Sequence, residues 1–443
     1  MRTFPAIGLG VPEILLPPPG TDLSKWAVIA CDQYTSEPEY WDRAAAFVGD
    51  APSSLRLIFP EVYLTAPDAE ARIAGIRKSM DALIAQNFFE AAEGFVYVER
   101  KTGSGARQGL VVCLDLEAYD FRKGSAGLIR ATEGTIIERI PPRVKIRDGA
   151  PLEIPHIMVL IDDPEGSVLG PLGRSKNDLT LLYDFELMMG SGRLAGYRVP
   201  PGPLEETVTE ALASLARPEA FASRYGLSPG TPVLLYAMGD GNHSLATAKA
   251  IWDKTKAEGP AAPASSPLRY ALVELVNLHD PSLVFEPIHR LVFEIAPGRN
   301  LLEEIHAFYG GHCRYSPSGG FRAMRDEVDR QRGRPHKIGI VAAGGSGILE
   351  VAAEGSNLPV GTLQTFLDAF MKTGGAREID YVHGTEALET LGEKAGNLGF
   401  YLPAMPKDGL FKTVILDGAL PRKTFSMGKA WEKRFYMEAR RLS

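Results

Sequence analysis

The sequence predicts an α/β or α+β fold with mixed sheets, on three observations. Glycine and proline number 46 and 33 in 443 residues, roughly 18% of the chain against an average of about 12%. That excess calls for many turns and short elements and argues against a long helical bundle. Apolar runs of strand length alternate irregularly with stretches of helical spacing, giving few clean strand–helix–strand units and hence mixed pairing. The apolar run at 233–238 (VLLYAM) leads through Gly-Asp-Gly directly into a helical stretch, a strand–turn–helix.

The elements follow in chain order. Residues 26–30 (WAVIA) end in the polar cluster Cys31-Asp32-Gln33-Tyr34-Thr35-Ser36, where Ser36 and Pro38 read as the cap and first turn of a helix. Ile73, Ile76, Met80, Leu83 and Ile84 give 68–89 helical spacing. Runs at 95–100 and 109–116 flank the Gly-rich KTGSGARQ and read as a hairpin. The Thr/Ile-rich stretch 130–143 reads as a strand, with Arg130, Glu133, Glu138, Arg139 and Arg143 alternating in sign, either as cross-strand pairs or as a substrate clamp. A buried strand at 157–161 stops at Asp162-Asp163-Pro164. Residues 179–189 read as helical, 200–203 as a break and 204–221 as helical again. Beyond the 233–238 strand come a helix at 243–256, a Pro/Ala/Ser loop at 259–267 and a strand at 270–278. Later strands are expected at 337–342, 378–383 and 412–416. A last helix is expected to present Lys429, Lys433, Arg434, Arg440 and Arg441 on a solvated face. Two portions are expected, an N-terminal α/β part over 1–225 and a C-terminal α/β part over 226–443 that carries the strand–turn–helix. The core need not be continuous in sequence.

Charge and composition narrow the function. Lys and Arg total 48 against 55 Asp and Glu, a net charge of −7 with pI near 5.7, which argues against a nucleic-acid partner. Cys31, Cys113 and Cys313 lie far apart, so neither a disulfide framework nor zinc-site spacing is present. No apolar run reaches about 18 residues and the N-terminus lacks a signal-peptide core. A cytoplasmic protein without a membrane partner is expected.

The most informative segment is Gly239-Asp240-Gly241-Asn242-His243-Ser244. Two glycines remove Cβ where a backbone or ligand must come close. The free N–H groups of the first helical turn form an anion site, to which Asn242, His243 and Ser244 add side chains. A carboxylate inside such a site needs its own explanation. Asp240 is either a general base for a hydroxyl or a ligand of a phosphate-bound Mg2+; the plain alternative is a helix cap.

DGNHS after a buried strand resembles the DGHHR-type segment of the family numbered 1015 among the domains of unknown function. WAVIACDQYTSEPEYW (26–41), the long block from Arg130 to Pro164, EPIHRLVF (286–293), IDYVHGTEAL (379–388) and LPRKTFSMGKAWEKRFY (420–436) resemble further blocks of that family. More loosely, the strand, turn and helix resemble the phosphate-binding element of the ParB/sulfiredoxin-like superfamily, whose members include a free-serine kinase carrying DGHHR. That resemblance puts Asp240 at the kinase's proposed catalytic Asp and His243 at its second His. The chain departs at Asn242, where the kinase has its first His, and at Ser244, where it has Arg. Another cation must then supply the charge, or the ligand carries fewer phosphates.

Other candidates surround this element in the reading. His383, at a strand end before Gly384, suits an acid/base or phosphate-binding role. Arg422 and Lys423 offer a fork and a point charge for phosphate. The cluster Asp32, Gln33, Glu37 and Glu39, just after an early strand, stands to bring a second carboxylate near Asp240, and Arg130 and Glu133 stand to clamp substrate. His383 and the 422–423 cations are expected to share the Asp240 cleft. The expected function is nucleotide-dependent phosphoryl transfer to a small hydroxylated metabolite such as serine. Asp240, His243 and His383 would be catalytic, with Gly239, Gly241, Asn242, Ser244, Arg422 and Lys423 on the phosphates, and Mg2+ with ATP or ADP as cofactor. The alternative is a non-catalytic protein that senses a nucleotide or a small phosphorylated ligand.

Overall fold

The computed structural model describes residues 1–122, 124–134, 140–258 and 266–442. The chain forms two compact units, one of residues 1–284 with 428–443, the other of residues 285–427. Residues 226–284, including the strand–turn–helix, thus belong to the first unit together with 1–225. Glu138, Arg139 and most of the 259–267 loop lie outside the described residues.

The first unit is organised by a mixed sheet. Its central order is Thr180–Glu186, Arg193–Val199, Phe95–Thr102, Gly105–Asp115, Tyr270–Asn277, Met158–Ile161, Tyr236–Asp240, Ile129–Arg130 and Tyr119–Asp120. The expected hairpin is present, with Val98 opposite Gly109. Met158–Ile161 runs parallel to Tyr270–Asn277 and antiparallel to Tyr236–Asp240. These central strands are apolar on both faces because both faces are covered. Val111, Cys113 and Leu272 pack on one side, and Val112, Val159, Tyr236 and Met238 on the other. Among the described residues no helix is long and apolar enough to cross a membrane.

The second unit has its own antiparallel sheet, in the order Cys313–Pro317, Gly345–Val351, His336–Ala342, Leu398–Tyr401, Phe285–Ile295 and Ala376–His383. Helix Pro359–Lys372 buries Leu363, Phe366 and Leu367 against Ile338, Ile340 and Phe400 of this sheet.

Several expected elements differ. The 179–189 stretch is mainly a strand, Thr180–Glu186, at the sheet edge. Its apolar positions leave Leu181 exposed and bury Tyr183, and hydrogen bonding to Arg193–Val199 decides the state. The 412–416 run is inside helix Gly409–Asp417, which buries Leu410, Phe411 and Val414 at helical spacing. The 204–221 helix is two, Pro203–Leu215 and Pro218–Tyr225, because Pro218 starts the second at its first turn. Among the described residues of 130–143 only Arg130 is in a strand, and Ile140–Arg147 is a helix that includes Arg143.

The largest correction is at the C-terminus. Residues 429–441 form no long basic helix but a single 3-10 turn, Ala430–Glu432, followed by strands Phe435–Tyr436 and Arg440–Arg441. Phe435–Tyr436 pairs with Val28–Ile29 and Arg440–Arg441 with Leu152–Glu153. Lys433, Arg434 and Arg440 are buried, each against a carboxylate: Asp240, then Glu274 and Glu438, then Glu153. Buried guanidinium and ammonium groups require such partners.

Candidate functional site

Strand Tyr236–Asp240 delivers the turn and helix Asn242–Glu258 starts directly after it, within a residue or two of the expected geometry. The pairing with Met158–Ile161 slips at this point. Val159 faces Met238 and Met158 faces Asp240, leaving Gly239 as the extra residue of a bulge. Bulges re-aim side chains at strand ends, and this one ends the ladder at Asp240. Gly241 has φ +78°, and a Cβ there would sit 3.1 Å from Ile157 Cα. Only glycine fits both the angle and the approach. Its carbonyl accepts the Leu245 N–H and opens the helix, so the amides of the first turn, residues 242–244, have no intrahelical acceptor.

The Asp240 carboxylate is held on both oxygens. Oδ1 accepts the Gly241 N–H at 2.9 Å, and Oδ2 lies 3.1 Å from Lys433 Nζ. The Lys433 side chain is only 8% exposed, so its charge is directed into the site rather than into solvent. Its neighbours fix it. The Arg434 guanidinium donates to the Pro155 carbonyl and pairs with Glu274 and Glu438, while Ala30 N–H donates to the Arg434 carbonyl.

The same strand pairing brings in the early polar cluster. His156, buried just before strand Met158–Ile161, has Nε2 at 3.6 Å from Asp32 and 3.3 Å from Ser244 Oγ, with Nδ1 at 2.7 Å from Tyr436 Oη. Burial opposes the charged imidazole, yet the Asp32, Asp240 and Glu61 carboxylates outweigh it and raise its pKa above the ordinary 6.5. Burial likewise opposes ionised Asp32, but His156, Gln33 and Lys433 hold its pKa below the usual carboxylate range. Burial pushes Glu61 up, against the opposing pull of its partner Arg143. Burial also keeps the Cys31 thiol protonated far above its usual pKa, as fits a small packed side chain rather than a nucleophile.

The sequence-expected residues therefore separate into groups. Gly239, Asp240, Gly241, Asn242, His243 and Ser244 form the turn, and Asp32 shares the cations Lys433 and His156 with Asp240. Gln33 donates to Asp32 Oδ1 at 2.9 Å. Among the described residues the buried Asn242 Oδ1 atom meets no hydrogen-bond donor. Thr132 Oγ1 donates to the Met238 carbonyl, so the chain carrying half-buried Glu133 runs beside the end of the strand. The Arg130 guanidinium donates to the carbonyls of Gly127, Pro232 and Val233, locking the approach to the strand. His383, Arg422 and Lys423 belong to the second unit. There His383 ends strand Ala376–His383, and Arg422 pairs with Asp368 at 3.1 Å and lies over the Tyr381 ring.

Sequence reasoning missed Lys433, His156 and Tyr436 as site residues. The signal was present, since all three lie inside family-like blocks, but their local patterns read as a basic face and a buried strand.

The donor set does not suit a Mg2+ held by Asp240. Both carboxylate oxygens are engaged and a buried ammonium stands where the metal's charge would fall. Among the described residues no group of three or more His, Cys, Asp or Glu side chains is placed to hold a metal ion. What the arrangement can do is bind an anion: the first-turn amides of the helix, Lys433 and His156 gather at the turn, with the Asp240 and Asp32 carboxylates beside them.

A mixed α/β protein with a cation-backed strand–turn–helix is the class these features define. The family described as protein of unknown function (DUF1015) matches residues 15–370, and the chain belongs to it. No curated protein matches the chain. Among solved structures, a conserved hypothetical protein from Pyrococcus furiosus overlaps with TM-score 0.37 at 10% identity, over 75% of this chain and 94% of that one. A free serine kinase in complex with AMP overlaps with TM-score 0.38 at 8% identity, over 74% and 90%. SbnI from Staphylococcus aureus gives 0.35 at 9% identity, over 72% and 82%. Overlaps of this quality bear on neither activity nor ligand.

Proposed function

We propose that the chain is a phosphoryl-transfer enzyme that moves a phosphate from a nucleotide to the hydroxyl of a small metabolite. One observation carries the reading: a buried ammonium, Lys433, stands 3.1 Å from Asp240, directly before helix Asn242–Glu258 begins. It is the cation that the Arg-to-Ser departure at Ser244 calls for, so the reading needs no charge from Arg422 or Lys423. In the reaction the substrate oxygen attacks phosphorus while its proton passes to Asp240. The bond from phosphorus to the nucleotide's bridging oxygen breaks, and that oxygen keeps the electron pair. The 242–244 amides, Lys433 and His156 bear the charge on the transferred group. No step is routed through a protein-held metal.

The test is Asp240→Asn, assayed for transfer from ATP to a panel of hydroxylated metabolites and for ADP affinity. Turnover is expected to fall about 10²–10⁴-fold, the worth of a positioned base, while ADP affinity holds. Equal turnover in the variant and the parent removes Asp240 as base. A second reading, a non-catalytic nucleotide or phospho-metabolite sensor, is favoured by the engagement of both Asp240 oxygens. It predicts ADP binding by the parent with no product formed from any acceptor.

A further inference from the structure

An unfilled space of about 130 Å³ adjoins the anion-binding turn inside the first unit. One end is polar, made by Ser244 and Thr247 of the helix, His156 and Tyr436. The rest is apolar. Leu57, Phe59 and Met80, buried in the core, line it with half-buried Leu64, Ile146 and Ile154. A largely apolar cavity with a few converging polar groups is the usual form of a small-molecule site.

The charged residues on its wall are already committed to one another. Arg143 pairs with Glu61, and Arg147 pairs with Glu153, which also holds Arg440. An occupant's body therefore meets hydrocarbon and mutually neutralised charge, and a polar or ionic group there would lose water without gaining a partner. At about 30 Å³ for each water-sized occupant, the space of about 130 Å³ accepts roughly four or five such groups. A bare serine side chain would leave about half of it empty.

We infer that the acceptor is a hydroxy acid or hydroxyamino acid whose body is a branched aliphatic or phenyl group. The apolar body fills the cavity between Leu57, Met80 and Ile146, and the hydroxyl lies at the His156–Ser244 end, toward Asp240. The inference rests on the phosphoryl-transfer reading for the hydroxyl, and on the cavity alone for the apolar body.

The experiment measures binding of L-serine, L-threonine, 3-phenylserine and 3-hydroxy-4-methylpentanoate to the full chain by calorimetry, with and without ADP. ADP binding is measured separately. Either bulky probe is expected to bind at least about 10-fold tighter than serine, the order a buried apolar group confers. Ile146→Trp fills the cavity from the Ile140–Arg147 helix and should abolish that preference while leaving ADP affinity within about twofold. Ala150→Phe fills it from a separate position and covers the case that the first variant does not fold. Serine binding as tightly as both bulky probes overturns the inference, as does a preference that survives both filling variants. So does ADP binding with none of the four probes bound. A bulky-probe preference without ADP binding or phosphate transfer keeps the cavity assignment and overturns the phosphoryl-transfer reading instead.

Discussion

Replacing Lys433 by methionine keeps an unbranched side chain one atom shorter and removes the charge that faces Asp240. At 3.1 Å and an effective dielectric of about 20, the attraction lost is about 5 kcal/mol. Asp240 retains 18% side-chain exposure, so water recovers part of it, and the net cost should be about 2–3 kcal/mol, below the roughly 3–5 kcal/mol of breaking a fully buried pair. Asp32 loses a compensating cation in the same step. All four tryptophans, Trp26, Trp41, Trp252 and Trp431, lie in the first unit, so urea unfolding followed by tryptophan fluorescence reads this unit directly. A cycle of Asp240→Asn, Lys433→Met and the double variant isolates the pair. The double variant should recover much of the loss, because no charge is then stranded. A coupling below about 0.5 kcal/mol, within the scatter of independent sites, would refute the argument that the ammonium is there to neutralise Asp240. Lys433→Met should also weaken binding of inorganic phosphate, and unchanged affinity would separate the ion pair from the anion site.

Further expectations concern the groups around that pair. Because the pKa of His156 is raised above 6.5 in the fold, its stabilising charge is complete below pH 6.5 and is lost as pH rises through the folded value. Phosphate affinity, measured by calorimetry across that range, should decline with rising pH, and His156→Gln should flatten the profile. Gly241→Ala sets a Cβ 3.1 Å from Ile157 Cα at φ +78° and should cost about 1–3 kcal/mol; an unfolding midpoint equal to the parent's would show that the turn is not constrained as described. Arg434→Met leaves Glu438, 2% exposed, without its cation and Glu274, 3% exposed, with only the longer pair to Arg107 at 3.6 Å, and should cost about 3 kcal/mol in the same fluorescence assay. A loss under about 1 kcal/mol would mean that the buried network does not anchor the C-terminal segment.

Local pattern determined the elements whose neighbours are close in sequence. The hairpin around KTGSGARQ, helix Ala69–Ala85 and strand Tyr270–Asn277 follow from turn chemistry and periodicity alone. The strand–turn–helix at 236–258 was legible for the same reason, down to Gly241, whose positive φ and close approach to Ile157 are demands that a side chain does not meet. Tertiary structure decided the rest. Thr180–Glu186 became an edge strand because a partner strand was available, and 412–416 became helical because its apolar face had a core to cover. Lys433 looked like a solvated cation, since nothing in KAWEKRFY marks burial. Its place depends on Phe435–Tyr436 pairing with Val28–Ile29 and on Arg434 being drawn to Glu274, contacts between residues 160 or more apart in the chain. Those contacts set Asp32, Asp240, His156 and Lys433 around one turn. A sequence displays which residues carry charge, but which charge compensates which is fixed by burial, and burial is a property of the folded chain.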